Sequence, residues 1–493
     1  MWSCRRCTPR PCRAINARES VWWRSGELRA LGCATVPAVG FTWGVATSAY
    51  QIEGAVDADG RGPSIWDTFS HTPGRVVKGE TGDVACDHYH RYAEDLDLLA
   101  QLGVDAYRFS IAWPRIQPTG AGQVEQRGLD FYRRLLDGLR ERGITPFVTL
   151  YHWDLPQALE DAGGWRERDT AHRFADYAAI LAEAFAGYEP WWITLNEPYC
   201  SAITSYAEGR HAPGAREGHG ALAAAHHLMV GHGLTVQRLR AASPAPVGIT
   251  LNMSPAVPAS DSASDTAAAR RQDLLVNRLF TEPVLGGRYP ADTQEVWGGL
   301  TDFSFRRDDD LALIAAPLDF LGVNYYYRVH VRDTGVAAGP TAYDIGVASA
   351  TPSTVETTGL GWPIEPAGLR ATLTGLRSRF PELPPIYVTE NGCAYPDEVG
   401  PTGAVDDPAR IAFVEQHLAA IEEARADGVD VRGYFYWSLL DNFEWARGYD
   451  PRFGLVHVDY TTQKRTPKAS FAWFADHIRQ PRPSPAAAGP TPA

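Results

Sequence analysis

From Phe41 onward, short apolar runs alternate along the chain with longer runs in which apolar residues recur at helical spacing. The short runs are rich in β-branched and aromatic residues and have the length of buried strands. The alternation predicts eight strands, at residues 41–49, 106–113, 145–152, 191–196, 247–252, 320–326, 386–390 and 433–439.

An amphipathic segment follows most of these strands. The first, residues 89–102, places Leu96, Leu99 and Ala100 at helical spacing before Gly103, which suits a helix C-cap. The other predicted helices are 129–142, 170–185, 222–239, 268–280, 368–380, 408–426 and 467–478.

Eight strand–helix alternations over about 440 residues predict an α/β fold consisting of a single (β/α)8 TIM barrel. Its long loops are expected at 51–86, 255–267 and 329–366, on the catalytic face of the barrel. A doubly wound sheet is the alternative fold, but it would normally carry a Gly-rich phosphate or dinucleotide turn, and the sequence has neither motif.

The two ends of the chain differ in composition from this repeating region. Residues 1–38 carry seven Arg and two Glu, a net charge of +5, and are predicted to be a disordered N-terminal extension. Residues 481–493 contain five Pro and are predicted to be a disordered tail. The catalytic barrel is therefore assigned to residues 39–480.

Two of the predicted strands end in a glutamate. The run Trp-Trp-Ile-Thr-Leu-Asn-Glu-Pro delivers Glu197, and the run Pro-Ile-Tyr-Val-Thr-Glu-Asn-Gly delivers Glu390. A carboxylate at the end of a buried strand is costly unless it has partners or a chemical task. Two such strands predict a pair of carboxylates that face one pocket.

Other predicted strand ends carry groups that could bind a polyhydroxylated ligand. These groups are Gln51, Arg108, His152, Trp153, Asn196, Asn324, Tyr326, Trp437, Glu444 and Trp445. Paired carboxylates without a cofactor loop suit glycoside hydrolysis, in which one carboxyl protonates the leaving oxygen and the other attacks or activates water. Arg108 could hold one of the two as an anion.

The overall composition argues against several classes of binding partner. The net charge of −13 argues against nucleic acid, and no apolar run approaches a membrane span. The 15 Trp and 21 Tyr are suited to stacking on sugar rings. Seven Cys, four of them in the first 33 residues, do not suggest a disulfide framework, so a cytoplasmic location is expected. Homo-oligomer formation is left open.

No metal or other cofactor is predicted. Cys4, Cys7 and Cys12 lack a fourth ligand at suitable spacing. The group around Asp87 falls where a helix begins, so Asp there is most simply a cap, and the adjacent His226 and His227 would point in different directions on a helix.

The chain resembles the family 1 glycoside hydrolases, the β-glucosidase group, from Phe41 to about His477. The resemblance rests on five motifs: Gly-Val-Ala-Thr-Ser-Ala-Tyr-Gln-Ile-Glu-Gly at 44–54, Tyr-His-Trp-Asp-Leu-Pro at 151–156, Thr-Leu-Asn-Glu-Pro at 194–198, Val-Thr-Glu-Asn-Gly at 388–392, and Trp-Ser-Leu-Leu-Asp-Asn-Phe-Glu-Trp at 437–445.

The resemblance implies a retaining β-glucosidase in which Glu197 is the acid/base and Glu390 is the nucleophile. Retention implies a covalent glycosyl-enzyme and carboxyls about 5–5.5 Å apart. Arg108 and Tyr326 are implied as supports of the nucleophile. The implied substrate contacts and neighbouring family positions are Gln51, His152, Trp153, Asn196, Asn324, Trp437, Glu444, Trp445 and Phe453. The implied substrates are small β-glucosides and cello-oligosaccharides, with β-galactosides and β-fucosides also expected.

Two alternatives are weighed against this function. Relatives that act on 6-phosphoglycosides have a Ser and a Lys where this chain has Glu444 and Trp445. The carboxylate of Glu444 would repel a phosphate. A catalytically inert sugar-binding barrel would be expected to lack one of the two carboxylates, and both are present.

Overall fold

The computed structural model describes residues 40–336 and 338–480. The segments 1–38 and 481–493, for which disorder was predicted, lie outside the described residues, so that prediction stays untested. The described part contains the predicted repeating region.

Within the described part, eight parallel strands close into a barrel in which each strand pairs with the next and the last returns to the first. The strands are β1 Thr42–Ala46, β2 Ala106–Ser110, β3 Thr145–Thr149, β4 Trp191–Asn196, β5 Val247–Asn252, β6 Phe320–Asn324, β7 Ile386–Asn391 and β8 Val431–Trp437. The predicted (β/α)8 barrel is confirmed. The first predicted strand is too long, because the chain turns into a short helix at Ala49–Ile52.

Barrel closure brings β1 close to β8 and requires a small residue at one position. Gly44 pairs in register with Phe435, and a Cβ on Gly44 would lie 2.3 Å from Cδ1 of that ring. The interior below the site is filled by side chains such as Phe147, whose ring centroid lies 4.8 Å from that of Phe435 and 5.6 Å from that of Tyr387. The barrel therefore has a packed floor and an open upper rim.

Helices surround the barrel. The longer ones are His88–Leu102, Gln126–Glu141, Arg168–Ala184, His219–Ala242, Ala263–Asp273, Leu279–Gly286, Pro366–Arg379, Pro408–Ala426 and Ala469–Arg479. Shorter ones are Ile65–His71, Trp113–Ile116, Gln157–Asp161, Thr293–Trp297 and Asp310–Ile314. Two π-helical segments, Cys200–Ala207 and Leu274–Arg278, and a short hairpin, Val456–Val458 with Arg465–Pro467, complete the outline.

The ends of the first long helix test two local predictions. Gly103 adopts a φ of 80° and its N–H donates to the Leu99 carbonyl, so the predicted C-cap is confirmed. Asp87 precedes the helix but does not cap it, because its φ is 53° and its carboxylate instead contacts His90 and Arg91. The predicted cap was wrong.

All three predicted long loops contain regular structure: the first holds the helix Ile65–His71, and the other two share a small sheet. Ala256–Pro258 and Val347–Ser349 both pair with Val329–Asp333 in a small three-stranded sheet, and the following helix already begins at Ala263. These pairings satisfy backbone groups that a long irregular loop would leave to water. The long loops over the rim are therefore partly ordered by their own sheet.

None of the helices in residues 40–480 is long and apolar enough to cross a bilayer. Over the same described ranges, no group of three or more His, Cys, Asp or Glu side chains could hold a metal ion.

Candidate active site

Two glutamates stand at the upper rim of the barrel. Glu197 directly follows β4, and Glu390 lies near the end of β7. Because all eight strands are parallel, their carboxyl ends meet at the same rim, and both side chains line one cavity of about 610 Å³. Only 6% of Glu197 and 3% of Glu390 is exposed, so both carboxyls are shielded from bulk water.

Both oxygens of Glu390 accept strong hydrogen bonds. Arg108 Nη1 donates to Oε1 at 2.6 Å, and the Tyr326 hydroxyl donates to Oε2 at 2.7 Å. Arg108 is 1% exposed and reaches from β2 across the barrel interior, where Nη1 also donates to the Thr389 carbonyl at 3.0 Å. A cation and a phenol that both donate are suited to an anionic carboxylate fixed in one orientation.

Glu197 has a different environment. Asn324 Nδ2 donates to Oε1 at 2.7 Å, and the Cys200 thiol donates to Oε2 at 3.1 Å. Burial is the main cause that raises the pKa of Glu197 to about 7, and the charge of Glu390 raises it further. Near neutral pH a large fraction of Glu197 therefore carries a proton, as required of a general acid.

The donor-only guanidinium of Arg108 orients the neighbouring amide. Arg108 Nη2 donates to Asn196 Oδ1 at 2.5 Å, so Asn196 Nδ2 faces His152 Nε2 at 3.1 Å. Burial, aided by the Arg108 charge, holds the pKa of His152 well below its usual range. His152 is therefore neutral with its proton on Nδ1, and this nitrogen has no partner within the described residues.

Glu444 contributes a third carboxyl to the cavity, from the loop after β8. Burial raises its pKa to about 8, and the nearby Arg447 cation opposes that rise. Gln51 Nε2 donates to Asn442 Oδ1 at 2.8 Å and to the Phe443 carbonyl at 3.0 Å, with Glu444 Oε2 at 3.4 Å. Gln51 is fully buried and holds this loop from behind.

Aromatic rings form the walls of the cavity. The ring centroids of Trp153 and Trp445 are 4.6 Å apart, and His152 stacks at 5.9 Å on both Trp437 and Trp445. On the side of Glu390, the ring centroid of Phe453 lies 6.2 Å from that of Tyr326. Flat apolar walls around polar groups are suited to a sugar ring, which has both kinds of surface.

Three residues that line the cavity have a strained backbone. Glu197, Trp153 and Trp445 have φ values of 48°, 78° and 54°, in the left-handed region that non-glycine residues rarely adopt. Each such residue costs roughly 1–3 kcal/mol, and strain of this kind clusters at functional sites.

The structure brings together all the residues that the sequence nominated, but in two layers. Those that line the cavity are His152, Trp153, Glu197, Asn324, Tyr326, Glu390, Trp437, Glu444, Trp445 and Phe453. Gln51, Arg108 and Asn196 do not line it. They are fully or almost fully buried and orient the side chains in front of them.

Three of the residues that sequence reasoning missed contact nominated site residues directly. Cys200 bonds Glu197, Thr389 Oγ1 donates to Asn324 Oδ1 at 2.8 Å, and the Trp362 ring packs 5.5 Å from that of Tyr326. Cys200 and Thr389 could have been nominated from their spacing to the two glutamates. Trp362 lies in the long loop at 329–366, where no local pattern indicates which side chain returns to the site.

Comparisons with known proteins agree with this geometry. The family model described as Glycosyl hydrolase family 1 matches residues 34–482. A bifunctional β-D-glucosidase/β-D-fucosidase of Bifidobacterium breve is 48% identical over 459 residues, which cover 89% of this chain and 98% of the relative. A 1,4-β-D-glucan glucohydrolase of Thermotoga neapolitana is 45% identical over 442 residues, which cover 89% and 97%.

Solved structures are similar over the same extent. A psychrophilic β-glucosidase from Micrococcus antarcticus superimposes with a TM-score of 0.86 at 46% identity, covering 89% of this chain and 96% of the other. A family 1 β-glucosidase from Thermotoga maritima gives a TM-score of 0.85 at 45% identity, covering 89% and 97%.

Proposed function

The chain belongs to glycosyl hydrolase family 1, and we propose that Glu197 and Glu390 are its acid/base and its nucleophile. The chain is a retaining β-glucosidase, which hydrolyses terminal non-reducing β-D-glucosyl residues by double displacement. One observation supports the two roles. Glu390 accepts from Arg108 and Tyr326 through both oxygens, while burial leaves Glu197 with a pKa of about 7 across the same cavity.

In the first step Glu390 attacks the anomeric carbon. The bond to the leaving oxygen breaks as that oxygen takes the proton of Glu197, and a covalent glycosyl ester with Glu390 forms. In the second step Glu197, now ionised, takes a proton from water, and the resulting hydroxide equivalent displaces Glu390 from the sugar. Two inversions restore the β configuration. We propose a separation of about 5–5.5 Å between the carboxyls, as this mechanism requires.

The electrostatics of the pair explain how one residue fills both roles of Glu197. The charge of Glu390 is the second cause, after burial, of the raised pKa of Glu197. When Glu390 is esterified its charge disappears, so the pKa of Glu197 falls, and the residue becomes available as a base. The acid of the first step thus becomes the base of the second.

The residues around the carboxyls are proposed to bind the glucosyl unit. His152, Glu444 and Asn324 are polar residues that line the cavity beside the two catalytic glutamates, and the rings of Trp437, Trp445 and Phe453 supply apolar walls. Arg108, Asn196 and Gln51 act from behind, by fixing the orientation of Glu390, His152 and Glu444.

The relatives extend the substrate range that we propose. The glucan glucohydrolase supports cello-oligosaccharides as substrates, and hence a role in cellulose degradation, and the bifunctional enzyme supports β-fucosides. A 6-phosphoglucoside is not favoured, because Glu444 and Trp445 stand in the cavity wall at the positions where the relatives that act on 6-phosphoglycosides have a Ser and a Lys. An inert barrel is not favoured, because both carboxyls face the same cavity.

Location and assembly stay predictions. We propose a cytoplasmic protein, which is supported by the free state of Cys86, Cys200 and Cys393, the cysteines in the described ranges. Cell fractionation tests the location, and light scattering of the purified chain tests homo-oligomer formation.

The experiment that tests the function is release of nitrophenol from an aryl β-D-glucoside by the parent chain, Glu390→Ala and a matched control. Glu382→Ala suits the control because Glu382 is exposed and does not line the cavity. We expect turnover by the parent and the control and none by Glu390→Ala, with all three folded by circular dichroism. Full turnover by Glu390→Ala would reject the nucleophile. A folded but inactive parent would favour the inert barrel or a 6-phosphoglycoside substrate.

A further inference from the structure

A cysteine thiol contacts the proposed acid. Cys200 begins the π-helical segment Cys200–Ala207, three residues after Glu197, and its backbone N–H donates to the Glu197 carbonyl at 2.9 Å. Its Sγ lies 3.1 Å from Glu197 Oε2, and the residue lines the cavity. The thiol is therefore placed beside the oxygen of Glu197 that Asn324 does not contact.

A chain of hydrogen bonds with fixed polarity leads to the other oxygen. Arg108 can only donate, so Asn196 must present Oδ1 to it. Asn196 Oδ1 then also accepts from Asn324 Nδ2 at 3.1 Å, and the same Nδ2 donates to Glu197 Oε1 at 2.7 Å. The two hydrogens of the Asn324 amide are thus assigned to two acceptors.

The opposite end of Asn324 agrees with this orientation. Its Oδ1 accepts from Thr389 Oγ1 at 2.8 Å. If the amide were turned over, its N–H would face that hydroxyl, and the Asn324 carbonyl oxygen would face two other oxygens, Asn196 Oδ1 and Glu197 Oε1. The observed orientation is therefore the one that satisfies all three contacts. Oε1 of Glu197 therefore accepts a hydrogen bond in every protonation state. A proton on Glu197 must reside on Oε2.

A thiol is suited to the position beside Oε2. The S–H group is a weak donor and the sulfur a weak acceptor, so it can donate to the carboxylate and also remain beside the protonated acid. An amide N–H or a cation in its place would oppose protonation of Oε2. Burial and the charge of Glu197 both raise the pKa of Cys200 well above its usual value, so the thiol keeps its own proton.

We propose that Oε2 of Glu197 carries the catalytic proton and that Cys200 is a positioning residue that shares this oxygen in both steps of the reaction. The inference rests on the proposed function, because it assigns an atom and a partner to the acid. Cys200 does not react, and it acts only through Glu197.

The charged and titratable groups that face Glu197 come from several elements. Glu390 and Arg108 act on it from β7 and β2, Tyr326 from the residues after β6, and Glu444 from the loop after β8. Substitution of Cys200 leaves all four in place. A change in the titration of Glu197 in such variants can therefore be attributed to the thiol position.

The test uses two variants with opposite expected effects. Cys200→Ser introduces a stronger donor, which stabilises the ionised form of Glu197, so the basic limb of the kcat/KM profile should move to lower pH. Cys200→Val fills a similar volume with an apolar group and removes the donor, so the limb should move to higher pH. Each shift should be about half a unit to one unit, as expected for one hydrogen bond to a carboxylate.

Ser205→Ala is the matched structural control. Ser205 Oγ donates to the Cys200 carbonyl at 2.9 Å in the same segment, without a contact to Glu197. Its removal disturbs the segment and leaves the thiol in place, so the basic limb should stay at the parent value. A shift in this control that equals the shift of either Cys200 variant in size and direction would overturn the proposal, because the segment rather than the thiol would then be responsible.

Infrared spectroscopy tests the contact between the Cys200 thiol and Glu197 directly. The infrared S–H band that is lost in Cys200→Ser belongs to Cys200, and we expect it to move as Glu197 titrates and to stay constant in Glu197→Gln. The proposal would be overturned if the basic limbs of the two Cys200 variants moved in the same direction or did not move. It would also be overturned if the S–H band did not respond to pH. Turnover of the aryl glucoside by the parent is measured first, so failure of the proposed function is seen separately.

Discussion

The raised pKa of Glu197 predicts a gain in stability from an inactivating substitution. Glu197→Gln replaces the carboxyl by a neutral group of the same shape, and a nitrogen at the position of Oε2 imitates the protonated acid. The parent must ionise a buried carboxyl above pH 7, whereas the variant has no charge to bury. The variant should therefore be the more stable protein at alkaline pH.

The magnitude follows from the shift of the pKa. The pKa rises from 4.5 in the unfolded chain to about 7 in the folded protein. At about 1.36 kcal/mol for each of the 2.5 units, the parent loses up to about 3.4 kcal/mol relative to a neutral residue. Because the folded pKa of an acid is raised, this loss develops between pH 4.5 and pH 7 and is complete above pH 7. It amounts to about 1 kcal/mol at pH 5 and about 3 kcal/mol at pH 8.

Thermal unfolding at pH 5 and pH 8 provides the assay. About 2.1 cal/mol/K of unfolding entropy per residue over residues 40–480 gives roughly 0.9 kcal/mol/K, so the Tm gain of Glu197→Gln should be about 2–3 °C larger at pH 8 than at pH 5. Glu382→Gln, at an exposed site, should show no such difference. An equal gain at both pH values, or a loss at pH 8, would refute the reasoning that burial and Glu390 raise this pKa.

Three further predictions concern catalysis. Glu197→Ala should lower the rate of hydrolysis less for aryl glucosides with good leaving groups than for alkyl glucosides, since good leaving groups need little protonation. Equal losses of rate across a leaving-group series would count against Glu197 as the acid. Tyr326→Phe removes a hydrogen bond to Glu390 of roughly 1.5–3 kcal/mol, so kcat/KM for an aryl glucoside should fall about 10- to 150-fold, and an unchanged value would exclude that support. Glu444→Ser should weaken glucose recognition, and unchanged KM and kcat would remove Glu444 from the site.

The fold and the identity of the two glutamates were accessible from the sequence. The alternation of strand and helix runs is a local property, and the eight barrel strands lie where the apolar runs predicted them, within a few residues at each end. Glu197 and Glu390 could be nominated because each ends an apolar run, and the closed parallel barrel brings such ends to one rim. The family motifs added, as a prediction, that Glu197 is the acid/base and Glu390 the nucleophile.

Several features of the site were not accessible in this way. Gln51 was predicted to contact the sugar, which stays a prediction, and only the structure showed that it also donates towards Glu444 and holds the Glu444 loop. The loop at 329–366 was predicted only as a long loop on the catalytic face, and the structure shows that it contributes two strands of a small sheet and carries Trp362 to the cavity. These positions depend on how loops pack over the rim, which a periodic pattern does not encode.

The sequence by itself determined which residues are available and at which strand ends they emerge, because strand length and apolar spacing are set by neighbours along the chain. The tertiary structure alone decided their protonation and orientation. Arg108 reaches Glu390 across 282 residues, and Asn324 reaches Glu197 across 127. Burial and these long-range hydrogen bonds set the pKa of Glu197 and the direction of every donor around it. Such effects depend on distance and solvent exclusion, which exist only after the barrel has closed.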